Sequence, residues 1–124
     1  MTLKELYDEI GGDYEQAMKV LRIEKLMDKH IRRFPSNPVF AELSAAKEPL
    51  DGARLFEAAH AIKGVCSNLG LVKLSSVAAD ICDEFRPGCT RKYTDGEVKQ
   101  KIAEAEALYT KAVKGIQEYE KAAQ

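Results

Sequence analysis

The sequence has 124 residues, which is the size of one ordinary domain, and we expect a single domain over residues 1–124. Hydrophobic residues make up 45% of the chain and charged residues 31%, proportions typical of a soluble globular protein rather than a disordered one. The formal net charge of −1 gives no overall attraction to nucleic acid or to an anionic membrane, so we expect neither as a partner.

The sequence carries no pattern for export or membrane insertion. The segment MTLKELYDEIGG lacks the apolar stretch of a signal peptide, and no apolar run approaches the roughly 20 residues that span a membrane. The cysteines Cys66, Cys82 and Cys89 are odd in number and not closely paired, which favours reduced thiols. These patterns predict a cytoplasmic protein.

Two helices are predicted in the first third of the chain. Thr2 and Glu5 form a capping box for a short helix that ends at Gly11. Asp13 then starts a second helix, which we expect to be continuous as far as Pro35. Its apolar residues step by three and four and so form one helix face: Val20, Ile23, Met27, Ile31 and Phe34.

Two more helices are predicted in the middle of the chain. Asn37-Pro38 is typical of the start of a short helix, which Pro49 closes. Asp51 is placed to cap the following helix, and Gly70 is placed to end it.

The last part of the chain predicts two long amphipathic helices. The first has an apolar stripe that stops before Pro87: Leu74, Val77, Ile81 and Phe85. Thr94 and Glu97 form the capping box of the second. Its apolar residues suit a long bundle helix: Val98, Ile102, Ala105, Tyr109, Ala112, Ile116 and Tyr119.

The helical patterns together predict an all-α fold. Period-two alternation is absent, and β-branched residues do not cluster as they do in strands. Four of the predicted helices are long, and their short loops favour antiparallel neighbours. We therefore expect an antiparallel four-helix bundle with additional short N-terminal helices.

One segment, EAAHAIKGVCSNLG, places a histidine and a glycine inside an alanine-rich helix. At about 100° per residue, the apolar side chains of this helix lie opposite His60, which predicts an exposed imidazole. Lys63 and Gly64 lie one turn further along the same face. A glycine inside a helix costs about 1 kcal/mol relative to alanine, so Gly64 needs a compensating reason.

These three residues suit a phosphorylated histidine that another protein must reach. An exposed imidazole is largely neutral near pH 7 and can act as a nucleophile. Lys63 can stabilise a doubly negative group on His60, and Gly64 leaves room for that group and for a partner. Further residues on this face are candidates for partner docking: Phe56, Glu57 and Ser67.

The segment AHAIKGVCSNLG resembles the signature of histidine-containing phosphotransfer (HPt) domains. That signature is a histidine, two residues, Lys-Gly, four residues, an aliphatic residue and a glycine. Here it is formed by His60, Lys63, Gly64, Leu69 and Gly70. Ile62 stands where the family often has leucine, a change that we expect to be neutral. The resemblance covers nearly the whole chain, because the surrounding helical pattern also fits.

The resemblance implies a helical bundle that relays a phosphoryl group in multistep two-component phosphorelays. Its partners would be receiver domains of response regulators and hybrid sensor kinases, whose aspartates donate and accept the group. His60 would be the phospho-accepting residue, Lys63 would stabilise the phosphoryl charge, and Gly64 would keep the site open. The receiver would supply Mg²⁺, so the chain would need no cofactor of its own. HPt domains have no kinase activity, and this sequence has no Gly-rich phosphate loop for ATP.

Other interpretations remain open beside this one. The chain could be a helical adaptor that docks receiver domains without carrying phosphate, although an adaptor would be free to lose the His-Lys-Gly pattern. Phe56 could cover a neighbouring helix, and Ser67 could bond locally. Glu57 and His60 resemble half of a di-iron ligand set, but the sequence has one such motif, predicted to point outward, so we expect no metal site. We expect a monomer, since the site needs no symmetry.

Overall fold

A computed structural model describes residues 1–122 of the chain. In this part of the chain every regular element is helical, which confirms the predicted all-α class. The α-helices are α1 (Leu3–Ile10), α2 (Tyr14–Leu21), α3 (Glu24–Arg33), α4 (Val39–Ala45), α5 (Gly52–Asn68), α6 (Val72–Glu84) and α7 (Asp95–Ala122). A short 3₁₀ helix, Phe34–Ser36, joins α3 to α4. None of these helices is both long and apolar enough to cross a membrane.

The bundle is built around the long helices α5, α6 and α7. α6 packs along both α5 and α7, and α4 lies against α5 and α7 on another side. The short helices complete the bundle, with α1 and α3 packed on α7 and α2 packed on α5. Fully buried side chains from each layer meet in one core, among them Leu6, Met27, Leu55, Ile62, Ile81, Ile102 and Ile116.

The predicted helix starts agree with the hydrogen bonds at the N-termini of four helices, α1, α2, α5 and α7. Thr2 and Glu5 form the reciprocal capping box of α1, and Thr94 and Glu97 form that of α7. At α5, the carboxylate of Asp51 accepts a hydrogen bond of 3.2 Å from the backbone N–H of Arg54. Each cap satisfies backbone donors that the first helical turn leaves free.

The prediction of one continuous helix before Pro35 is wrong. Two helices, α2 and α3, replace it, and the chain turns between them at Arg22, whose φ is +71°. Val20 and Ile23, predicted to share one apolar helix face with Met27, are therefore 43% and 52% exposed. The break has a packing reason: two short helices can lie on different neighbours, α2 on α5 and α3 on α7.

A tight turn between α5 and α6 sets how these two helices face each other. Gly70 has a φ of +70°, which favours glycine, and its carbonyl accepts a 2.7 Å hydrogen bond from the N–H of Asp13. The chain then runs back antiparallel along α5. Ser67 near the end of α5 thus lies opposite Ser75, with 2.8 Å between their hydroxyl oxygens.

Candidate functional site

His60 lies near the middle of α5 and is exposed, as the helical wheel predicted. The opposite face of α5 is buried in the bundle through Leu55, Ala58, Ala59, Ile62 and Cys66. The apolar face therefore fixes the rotation of the helix, and that rotation presents the imidazole to solvent.

The imidazole of His60 rests on two neighbours. The ring of Phe56 lies nearly parallel to it, at 17° between planes and 6.0 Å between centroids. From α6, the Sγ atom of Cys82 lies 4.0 Å from Nδ1. Because Nδ1 faces the bundle, Nε2 at the outer end of the ring is the nitrogen open to an approaching protein.

Cys82 is buried beneath the imidazole, and burial raises the pKa of its thiol. A neutral thiol is a weak hydrogen-bond donor and acceptor, so it can contact Nδ1 without placing a negative charge there. Cys66 is buried in the same core, where desolvation raises its pKa to about 12, whereas Cys89 is exposed. Sequence analysis treated Cys82 as a reduced thiol and did not indicate that it touches His60.

Lys63 and Gly64 lie one helical turn after His60. Lys63 is half-buried and Gly64 is exposed. A Cβ atom added to Gly64 would have no atom of residues 1–122 within 4 Å outside its own helical backbone and chain neighbours. The glycine therefore leaves open space beside the imidazole and serves no close helix contact in the described part of the bundle.

Two charged residues of α6 and the turn after it extend the site, and sequence analysis missed both. Nη2 of Arg86 donates a 2.8 Å hydrogen bond to Asp83 and lies 3.9 Å from Sγ of Cys82. The guanidinium carbon also lies 5.7 Å from the centroid of the Phe56 ring. Arg86 thus contacts both neighbours of the imidazole. In the sequence, the only indication of this contact is that Arg86 follows Cys82 by four residues. That spacing becomes informative only when the register of α6 against α5 is known.

Asp83 balances the positive charge at this end of the site. The hydrogen bond from the Arg86 guanidinium is the main reason that the pKa of Asp83 lies below its usual range, and the charge of Lys63 contributes. Asp83 is thus ionised at neutral pH and is influenced by Lys63 of α5 and by Arg86 in the turn after α6.

The three predicted docking residues differ in their surroundings. Glu57 is exposed on the His60 face. Ser67 is also exposed, but its hydroxyl is shared with Ser75. Phe56 is half-buried, packs against the core and supports His60, so its ring is already occupied within the chain. Within residues 1–122 there is no cluster of three or more His, Cys, Asp or Glu side chains arranged to hold a metal ion.

The fold and the site define a class of protein: an all-α bundle that presents one histidine, with a lysine and an open glycine beside it, on the surface of a central helix. The family model described as Hpt domain matches residues 14–113, and the chain belongs to that family. HPt domains are phosphoryl carriers in phosphorelays rather than kinases, and they interact with receiver domains. Searches of curated proteins and of solved structures gave no significant match.

Proposed function

We propose that this protein relays a phosphoryl group between the aspartates of receiver domains through phosphorylated His60. The observation that carries the proposal is the placement of the imidazole, exposed on α5 with Nδ1 against Cys82 and Nε2 outermost. The exposure of His60 leaves Nε2 open to a phosphoryl donor on another protein.

In the accepting step, the lone pair of Nε2 attacks the phosphorus of an aspartyl phosphate on the receiver. The P–N bond forms as the P–O bond to the aspartate breaks, and the electron pair of that bond leaves with the aspartate as a carboxylate. The proton on Nδ1 stays in the ring, whose positive charge offsets part of the phosphoryl charge. The donating step reverses these changes, with the aspartate of a second receiver as the nucleophile.

Lys63 and Gly64 would assist the same step in different ways. The ammonium group of Lys63, one turn from His60, would stabilise the added negative charge. The space beside Gly64 would admit the phosphoryl group together with the backbone of the receiver. Mg²⁺, which we expect on the receiver, would neutralise phosphoryl oxygens during transfer.

The test is a transfer assay with receiver domains that have been charged from a radiolabelled phosphodonor. Label that appears on this chain should be stable to base and labile to acid, as a phosphohistidine is. The matched control is His60→Gln, which keeps a polar side chain on the exposed face but removes the nucleophile. Equal labelling of the mutant, or no labelling of the wild type by any of several receivers, would contradict phosphotransfer. Stable binding of a receiver without transfer would instead support an adaptor.

A further inference from the structure

We propose that Arg86 and Lys63 form a two-cation binding site for the phosphoryl group on His60, and that Asp83 holds Arg86 while the group is absent. The inference rests on the proposed phosphorylation of His60. It adds a second helix, α6, to a site that the sequence pattern confines to α5.

The antiparallel register of α5 and α6 places the two cations on either side of the imidazole. Lys63 follows His60 by one turn of α5. Arg86 lies over Phe56, which precedes His60 by one turn. A group bonded to the outermost nitrogen would therefore have a positive side chain on each side along the α5–α6 contact.

Arg86 makes two separate contacts with residues that touch the imidazole. Its Nη2 atom lies 3.9 Å from Sγ of Cys82, and that sulfur lies 4.0 Å from Nδ1 of His60. Its guanidinium also lies over the Phe56 ring, which is stacked on the imidazole. These contacts hold the guanidinium beside the site while leaving most of its five N–H donors free.

The present partner of Arg86 can be exchanged for a phosphoryl group. The side chains of Arg86 and Asp83 are 43% and 59% exposed, and ion pairs with such exposure are weak. A phosphoryl group carries up to about two negative charges, against one on the carboxylate, and its oxygens fit the planar guanidinium fork. We therefore expect Arg86 to turn from Asp83 to the phosphoryl group when His60 is modified.

Arg86 and Asp83 must then have opposite effects on phosphorylation. Removing the cation takes away an attraction that exists in the phosphorylated form. Removing the carboxylate takes away a competitor for Arg86 and a negative charge that repels the phosphoryl group. A salt bridge that only stabilised the fold would lower the free energy of unfolding in both variants, because either substitution breaks it, and would not shift the transfer equilibrium in opposite directions.

The experiment measures the equilibrium constant for transfer from one charged receiver to this protein, read as the fraction of label on each chain. We expect Arg86→Gln to lower this constant roughly two- to fivefold, and Asp83→Asn to raise it by a similar factor. Arg86→Lys should restore part of the loss, since it keeps the charge. The control is Lys111→Gln, which removes one positive charge from an exposed position on α7.

Two results would overturn the two-cation site. One is an unchanged equilibrium constant in Arg86→Gln, and the other is a shift of the same sign in Arg86→Gln and Asp83→Asn. Either result leaves His60 labelling intact and so leaves the proposed function standing. If wild-type protein takes no label from any receiver, the proposed function fails and the two-cation site fails with it.

Discussion

The Sγ atom of Cys82 lies 4.0 Å from Nδ1 of His60, so the inner nitrogen of the exposed imidazole faces a buried thiol on the neighbouring helix. A neutral sulfur at this place can accept a weak hydrogen bond from Nδ1–H. That bond would favour the tautomer in which the lone pair is on Nε2, the nitrogen that we propose as the phosphoryl acceptor.

Replacing Cys82 tests whether this contact sets the tautomer. We expect Cys82→Ala to lower the share of neutral imidazole that carries its proton on Nδ1, and Cys82→Ser to preserve it, because a hydroxyl oxygen can also accept. The measurement is the pair of ring-nitrogen NMR shifts of His60 in labelled protein. Identical shifts in the alanine and serine variants would show that the atom at position 82 has no influence on the ring proton.

Substitution by alanine should change the free energy of unfolding in opposite directions at two glycines inside long helices. At Gly64 an added Cβ meets open space, so Gly64→Ala should raise the free energy of unfolding by about 0.5–1 kcal/mol. At Gly115 of α7 an added Cβ would lie 2.5 Å from Cγ2 of Ile10 on α1. Gly115→Ala should therefore lower the free energy of unfolding by about 1–3 kcal/mol through overpacking.

Urea denaturation of the two alanine variants beside wild type measures both changes. The two substitutions are chemically identical, so they control for the intrinsic helix preference of alanine. A loss of stability in Gly64→Ala would mean that the space beside His60 is not open in solution.

The role proposed for Gly64 predicts that a large side chain at this position slows phosphotransfer without disturbing the fold. Gly64→Gln should leave the helix content unchanged and slow phosphotransfer from a receiver by at least about tenfold, since a misplacement near the reacting atoms is costly. Circular dichroism checks the fold, and the initial rate of His60 labelling checks transfer. Ser67→Gln, an equally long side chain on the same exposed face, shows how much of the loss is general crowding. Normal transfer in Gly64→Gln would rule out the steric explanation of the glycine.

Relationships within one helix could be predicted from the sequence, and those between helices could not. His60, Lys63 and Gly64 share a face because the helical repeat is fixed, and the buried side chains opposite them determine its direction. The approach of Arg86 depends on the register of α6 against α5, which follows from the turn at Gly70 and from packing.

The break between α2 and α3 could not be predicted from the sequence for a different reason. Val20 and Ile23 continue the apolar spacing of the predicted helix, so the periodicity runs across the turn without interruption. The residue that adopts the positive φ is Arg22, and an arginine gives none of the signal that a glycine would give there. The turn at Arg22 follows instead from tertiary packing, because α2 packs on α5 and α3 packs on α7.

The turn after α6 depends on one buried carboxylate, that of Glu84. It accepts backbone hydrogen bonds of 2.9 Å from Lys92 and 3.0 Å from Tyr93, and its side chain is paired with Arg91 at 3.0 Å. Burial alone would raise the pKa of Glu84, but these donors outweigh it and hold the pKa below the ordinary glutamate value. The carboxylate therefore orders the segment that leads from the His60 site to α7.

This pKa shift predicts a specific loss of stability in acid. A carboxyl group whose pKa is lower in the folded state contributes its full stabilisation above the unfolded value of about 4.3. The contribution declines as the pH falls through that value toward the lower folded pKa. Glu84→Gln should lower the free energy of unfolding near neutral pH by about 1–3 kcal/mol, since the backbone N–H groups of Lys92 and Tyr93 and the Arg91 guanidinium lose a charged acceptor. Below pH about 4 the difference between the variant and wild type should shrink. Urea unfolding at a series of pH values measures this difference, with the exposed Glu57→Gln as control, and a constant difference down to acid pH would disprove the role of the Glu84 charge.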